Sequence, residues 1–210
     1  MALRSIGLRG YIGELLVEYW LKEVRYANQP GTETVLQVRP AEIDPKGGPY
    51  IDIGVAQNGK MLSVYEIKTQ DYALDEHFNV NKALWHLWEN PRTNETMISQ
   101  NKQEYPKHTD FKAYLVLLVP PTQGGRSRLK DYITNVIFFS EIISETDTDK
   151  FQDHLIENLT TDGRKDLKEL VRICKKHVHP PGDTAIDLQG LQKIVGKEFG
   201  QSNKSLKPTP

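Results

Sequence analysis

The sequence predicts an α/β protein, with a mixed central sheet flanked by helices and a helical addition at the C-terminus. Three observations carry that expectation. An apolar-periodic stretch opens the chain, the turn signal Asn58-Gly59 separates two alternating apolar runs, and residues 111–119 form a buried-strand pattern after an intervening helical one. Helical periodicity then returns beyond residue 149. With 210 residues, 38% of them apolar and 26% charged, the chain has material for one sizeable core. It reads as one domain over 1–200, with a core at 5–140, helices within 149–199, and a flexible tail at 201–210.

Ser5 is placed to cap a long first helix whose apolar surface includes Ile6, Leu16, Tyr19, Trp20 and Val24. Gly7, Gly10 and Gly13 weaken its first turns, so their expected use is close approach of the helix to a sheet, with Glu14 carried one position beyond. Residues 28–31 end this segment, and 33–38 alternate like a strand. A loop at 40–49 leads to strands at 50–56 and 61–69. A two-residue turn would set Asp52 opposite Tyr65 and turn its side chain away from Glu66. A shared site therefore needs an odd loop or a bulge; a three-residue connection, Asn58, Gly59 and Lys60, is expected, with Asp52 opposite Glu66. On that register Asp52, Gly54, Ala56, Val64, Glu66, Lys68 and Gln70 share one face, with room there for the first helix. Ile51, Ile53, Val55, Tyr65 and Ile67 form the other.

A helix is expected from Asp75 or Glu76, through Phe78, Ala83, Leu84, Leu87 and Trp88, to Asn90-Pro91. Trp85 and Trp88 read as packing or dimer anchors. Residues 92–110 read as a long surface excursion and 120–131 as a loop, followed by a strand at 135–139. Further helices are expected at 149–159, 164–177 and 187–199.

Twenty-seven basic and 28 acidic side chains leave a net charge of -1, so no global positive field advertises a polyanionic partner; a local basic rim would suffice. Arg126, Arg128 and Lys130 form the best such rim, with Lys168, Arg172, Lys175 and Lys176 a second basic set. One cysteine, Cys174, excludes an intrachain disulfide framework and agrees with a reducing, cytoplasmic setting. The longest apolar run, 114–121, is far below the ~20 residues that span a bilayer, so no membrane partner is expected. Cys174, His177, His179 and Asp183 carry zinc-compatible atoms, but a second cysteine pair is missing and Pro180-Pro181 interrupts the run.

The chemistry concentrates at Asp52 and at Glu66-Ile67-Lys68, with 13 residues between the acids. Asp52 and Glu66 offer hard oxygen ligands for Mg2+, with Mn2+ able to substitute; the Ile67 carbonyl and Glu14, directly or through water, could add to the set. Lys68 would orient a water and stabilise charge on a phosphate, and Gln70 points the same way. The bland alternative is a strand-end ion pair between Glu66 and Lys68 with Asp52 capping a turn; like charges facing each other without an ion argue against it. His77, Asn81 and Lys82 follow on the next helix, where they would line an approach to the phosphate.

Asp52, Glu66-Ile67-Lys68 and the preceding Gly10-Tyr11-Ile12-Gly13-Glu14 together resemble the PD-(D/E)XK nuclease superfamily, including its restriction-endonuclease-like and Holliday-junction-resolvase-like branches. The resemblance covers roughly residues 5–139. Pro49-Tyr50-Ile51-Asp52 departs from the adjacent proline-aspartate pair. It implies a restriction-endonuclease-like fold, catalytic Asp52, Glu66 and Lys68 with Glu14 as the helix carboxylate, and a Mg2+-dependent DNA endonuclease leaving 5'-phosphate and 3'-hydroxyl ends. A restriction or defence role in a homodimer is expected, since one centre cuts one strand. The rival readings are Holliday-junction cleavage and a catalytically silent nucleic-acid-binding or assembly protein of the same fold.

Overall fold

The computed structural model describes residues 8–43, 49–69, 80–91 and 96–146. Expectations for Ser5, Ile6, Gly7, Gln70, Asp75, Glu76, His77 and Phe78 lie outside these residues. So do those for the zinc-compatible set, the second basic set, the helices within 149–199 and the tail.

Helix α1 (Leu8–Trp20) continues into a π turn (Leu21–Arg25) closed by the Tyr26 N–H on the Leu21 carbonyl at 3.0 Å. Strands β1 (Thr32–Pro40), β2 (Ile51–Gln57) and β3 (Lys60–Lys68) follow, then α2 (Lys82–Glu89), β4 (Thr96–Ser99), β5 (Glu104–Leu117), α3 (Gln123–Leu129), β6 (Val136–Phe138) and α4 (Phe139–Glu145). The six strands form one mixed sheet in the order β3-β2-β1-β4-β5-β6, and β3 also pairs with β5. The β3–β5 and β5–β6 pairings are parallel and the others antiparallel. The long β5 joins β4 through its first residues and β3 and β6 through its later ones, so β1, β2, β3, β5 and β4 close a ring of pairings. Among the described residues no helix is long and apolar enough to cross a membrane.

The hairpin reaches its register by another route than the expected three-residue loop. Gln57 pairs with Lys60 across a two-residue turn, where Asn58 and Gly59 both take positive φ (49° and 75°), as a tight hairpin turn demands. Ala56 then pairs with Met61, but Val55 pairs with Ser63. Leu62 is thus an extra residue, a bulge that supplies the odd count. From Ile53 opposite Tyr65, one step further sets Asp52 opposite Glu66.

The two faces carry separate cores. Ile53, Val55, Tyr65 and Ile67 pack with Leu16, Val17, Trp20 and Leu21 of the first helical segment and with Phe139, Ile142 and Ile143 of α4. Ala56 and Val64 pack with Ala83, Leu84, Leu87 and Trp88 of α2 and Leu129 of α3. This corrects the expected placement: α1 covers the bulky face, and the face bearing the carboxylates meets α2. The bulky face needs cover most, so α1, rich in large apolar side chains, takes it. Ile51 also departs from its expected partners and packs with Val38 in the second core, where Gln37 (φ 53°) breaks the regular alternation of β1.

Three further expectations are corrected. Helix α2 starts only at Lys82, because extended Asn81 caps it by accepting the Ala83 N–H at 2.9 Å. The expected excursion at 92–110 contains β4 and the start of β5; among its described residues only Met97, Ser99 and Tyr105 are buried, too sparse a pattern to read as strand. The presumed loop at 120–131 contains α3, capped by Thr122 accepting from Gly125 N–H at 3.3 Å, and its two glycines hid it. After β6, α4 follows at once, with Glu141 accepting the Phe138 N–H at 3.1 Å.

Gly13 meets its expectation of close approach. A Cβ there would collide with Thr69 Cγ2 and lie 3.2 Å from Phe139. Gly13→Ala should therefore destabilise the fold by about 1–3 kcal/mol in urea unfolding, and adding Thr69→Ser, which removes the opposing methyl, should recover much of the loss.

Candidate functional site

Asp52 on β2 and Glu66, Ile67 and Lys68 on β3 meet where the hairpin strands end. The Ile67 N–H donates to Asp52 Oδ2 at 2.7 Å, so the backbone of one strand fixes the carboxylate of the other. Lys68 Nζ donates to Glu66 Oε1 at 2.6 Å. Glu66 is only 3% exposed, whereas the Lys68 side chain keeps 27% of its surface open, leaving its ammonium in reach of a ligand.

Asn81 completes the holding of Glu66. Its Nδ2 donates both to Glu66 Oε2 at 2.9 Å and to the Tyr50 carbonyl at 2.6 Å, while its Oδ1 caps α2. Both amide protons are used. Asn81 thus positions a carboxylate where an approach to phosphate was expected, and its one-residue cap signal in front of α2 was the available clue. Lys82, next to it, is exposed.

Glu14 comes from α1 on the opposite side of the sheet, at the turn where Gly13 abuts Thr69 just beyond β3. Burial pushes its carboxyl up to about 7, helped by the charges of Glu66 and then Glu18. Asp52 is also held well above the usual carboxylate range, by burial first and then by Glu66 and Glu14; the Ile67 N–H and Lys68 oppose the rise. Burial raises Glu66 too, against Lys68 and Asn81. Two strand carboxylates thus share one place with one ammonium, and the charge of Glu14 acts on them from the other side of the sheet.

A divalent cation would relieve that crowding of acidic groups, and Asp52 and Glu66 carry the hard oxygens that could hold one. The two strand carboxylates are a pair: among the described residues no three His, Cys, Asp or Glu side chains stand together closely enough to hold a metal. Arg126, Arg128 and Lys130 are exposed on α3 and just after it; Arg126 Nε donates to the Pro121 carbonyl at 3.3 Å. Gln70 and His77 lie outside the described residues.

The fold and site together define an α/β protein with a carboxylate–lysine cluster at the end of a bulged hairpin. Comparison with protein-family models, curated proteins and solved structures found no match to the chain.

The raised Glu14 fixes a pH dependence. Between about 4.5 and 7 the folded state binds the proton more tightly than the unfolded chain, so stability is full below that window and falls as pH rises through it. Urea unfolding without metal should lose on the order of 1–3 kcal/mol between pH 5 and 8. Glu14→Gln should reduce that slope, leaving the part due to Asp52 and Glu66.

Proposed function

We propose that the chain is a metal-dependent endonuclease of restriction-endonuclease-like fold, hydrolysing DNA phosphodiester bonds to 5'-phosphate and 3'-hydroxyl ends. The observation that carries this reading is the meeting of Asp52, Glu66 and Lys68 at one end of a hairpin, with the charge of Glu14 on the preceding helix acting on the two acids. Few structural needs put two strand carboxylates and a lysine together at one end of a hairpin. The order of a helix, three antiparallel strands, a helix and, after the short β4, a strand parallel to β3 supports the fold reading.

A Mg2+ or Mn2+ ion held by Asp52 and Glu66 would neutralise phosphate charge and lower the pKa of a bound water. The chain's own residues do the rest. Lys68 presents a charged donor to a non-bridging phosphate oxygen and stabilises negative charge as it builds there. Asn81 and the Ile67 N–H keep Glu66 and Asp52 in place through the reaction. Glu14, with its pKa near neutral, can hold or release a proton beside Glu66. Arg126, Arg128, Lys130 and Lys82 supply backbone phosphate contacts, and a homodimer pairs two centres for the two strands.

A second reading, a nucleic-acid-binding protein without turnover, is favoured by one observation: both oxygens of Glu66 already accept hydrogen bonds within the protein. Incubation with linear, supercoiled, four-way-junction and single-stranded DNA and with RNA, in Mg2+ or EDTA, separates the two. The endonuclease reading expects Mg2+-dependent cuts with 5'-phosphate ends, and a rate at least ~100-fold lower in Glu66→Gln and Lys68→Met proteins that remain folded. Binding without cleavage of any substrate would leave the second reading standing.

A further inference from the structure

The other end of β3 carries a second polar centre, which the carboxylate chemistry does not use. Its middle is Arg25, the last residue of the π turn. The guanidinium lies over the rings of Tyr114 (4.7 Å), Trp20 (5.1 Å), Tyr65 (5.8 Å) and Tyr26 (6.0 Å), and Nη2 donates to Tyr114 Oη at 3.0 Å. Tyr65 and Tyr114 stack at 5.0 Å, and the hydroxyls of Tyr26, Ser63 and Tyr65 bond to one another at 2.9–3.2 Å. These contacts fix the cation firmly. They give it no counter-charge: among the described residues no carboxylate pairs with Arg25.

This fixed cation opens onto a cavity of about 350 Å3, lined by Arg25, Tyr26, Gln29, Leu62, Ser63, Asp110, Lys112 and Tyr114. The lining brings two cations against one carboxylate, and Asp110 is exposed and turned toward His108 at 3.8 Å. A guanidinium held half-buried without an anion among the described residues, an ammonium on the same lining and hydroxyls below form an oxyanion-binding set. The volume stands at the small end of ligand pockets, large enough for more than a bare phosphate. Local irregularities build the cavity from both sides. The π turn and its capping residue supply Arg25 and Tyr26, and the bulge residue Leu62 forms part of the wall.

We propose that this cavity binds a phosphate monoester of nucleotide size, with Arg25 and Lys112 gripping the phosphate and Tyr26 and Leu62 walling the remainder. The site is independent of the phosphodiesterase reading, since it uses none of the carboxylates and opens beside the opposite end of β3.

The test is titration of the full chain in EDTA with inorganic phosphate, a nucleoside 5'-monophosphate and a short 5'-phosphorylated oligodeoxynucleotide. Amide and indole NMR shifts locate binding, with the Trp20 indole and the Tyr26, Ser63 and Lys112 amides as reporters. The expected result is shifts at these groups, with the monophosphate binding more tightly than inorganic phosphate. Arg25→Met should weaken binding at least about tenfold and Lys112→Met about threefold, and Glu66→Gln should leave it unchanged. Tighter binding of the monophosphate than of the oligonucleotide identifies a free nucleotide as the source, and the reverse identifies a strand end; either upholds the site. No shift at the reporters with any probe, binding untouched by Lys112→Met, or binding abolished by Glu66→Gln would overturn it. Lys112 is exposed, so its variant carries the test even where Arg25→Met does not fold.

Discussion

Side chains alternate along a strand, so one additional residue in β3 decides whether Asp52 and Glu66 share a face or lie on opposite faces. Leu62 is that residue, and its insertion follows a tight turn that by itself would have set the wrong pairing. Everything distinctive at the far end of the hairpin depends on this shift. It brings one acid's carboxylate to the other strand's Ile67 amide and puts Glu66 where Asn81 and Lys68 both reach it. It also leaves the alternate residues of the same strands, Ile53 and Tyr65 among them, to seal the opposite core.

The electrostatics follow from the same geometry. Buried acids favour their neutral forms, and each ionised neighbour makes the next ionisation harder. Lys68 offsets part of this through a direct bond to Glu66, but it cannot offset three acids at once. Glu14, on a different element, is drawn in because Gly13 lets α1 come within contact of Thr69. The cluster's charge balance is therefore tied to how closely a helix lies on the sheet.

Much of this was legible in residue pattern, and the failures have physical reasons. Asn58-Gly59 and the flanking alternation announced the hairpin, and a helix start crowded with glycine announced close contact. The need for an odd residue was legible too, but a bulge at Leu62 has no residue signature that separates it from a longer loop. The face that α1 covers was not legible, because small residues beside the acids look like room for a helix, whereas the larger apolar face has the greater need of cover. Asn81 belonged visibly to the neighbourhood of the site; that its amide would be spent on Glu66 and Tyr50 depends on where a helix begins, which periodicity locates poorly. Strand β4 and helix α3 were lost because one buries two side chains and the other contains two glycines.

The ring of pairings has a bearing on how copies of this chain can meet. Each strand within it has neighbours on both flanks, so the backbone donors and acceptors that commonly zip one sheet onto another are largely consumed internally. Among the described residues the terminal strand is β6, only three residues long and followed directly by a helix. A twofold assembly built on this body would accordingly be cemented by side chains on helices and loops, and its geometry would be free to evolve without disturbing the pleated scaffold that aligns the acids.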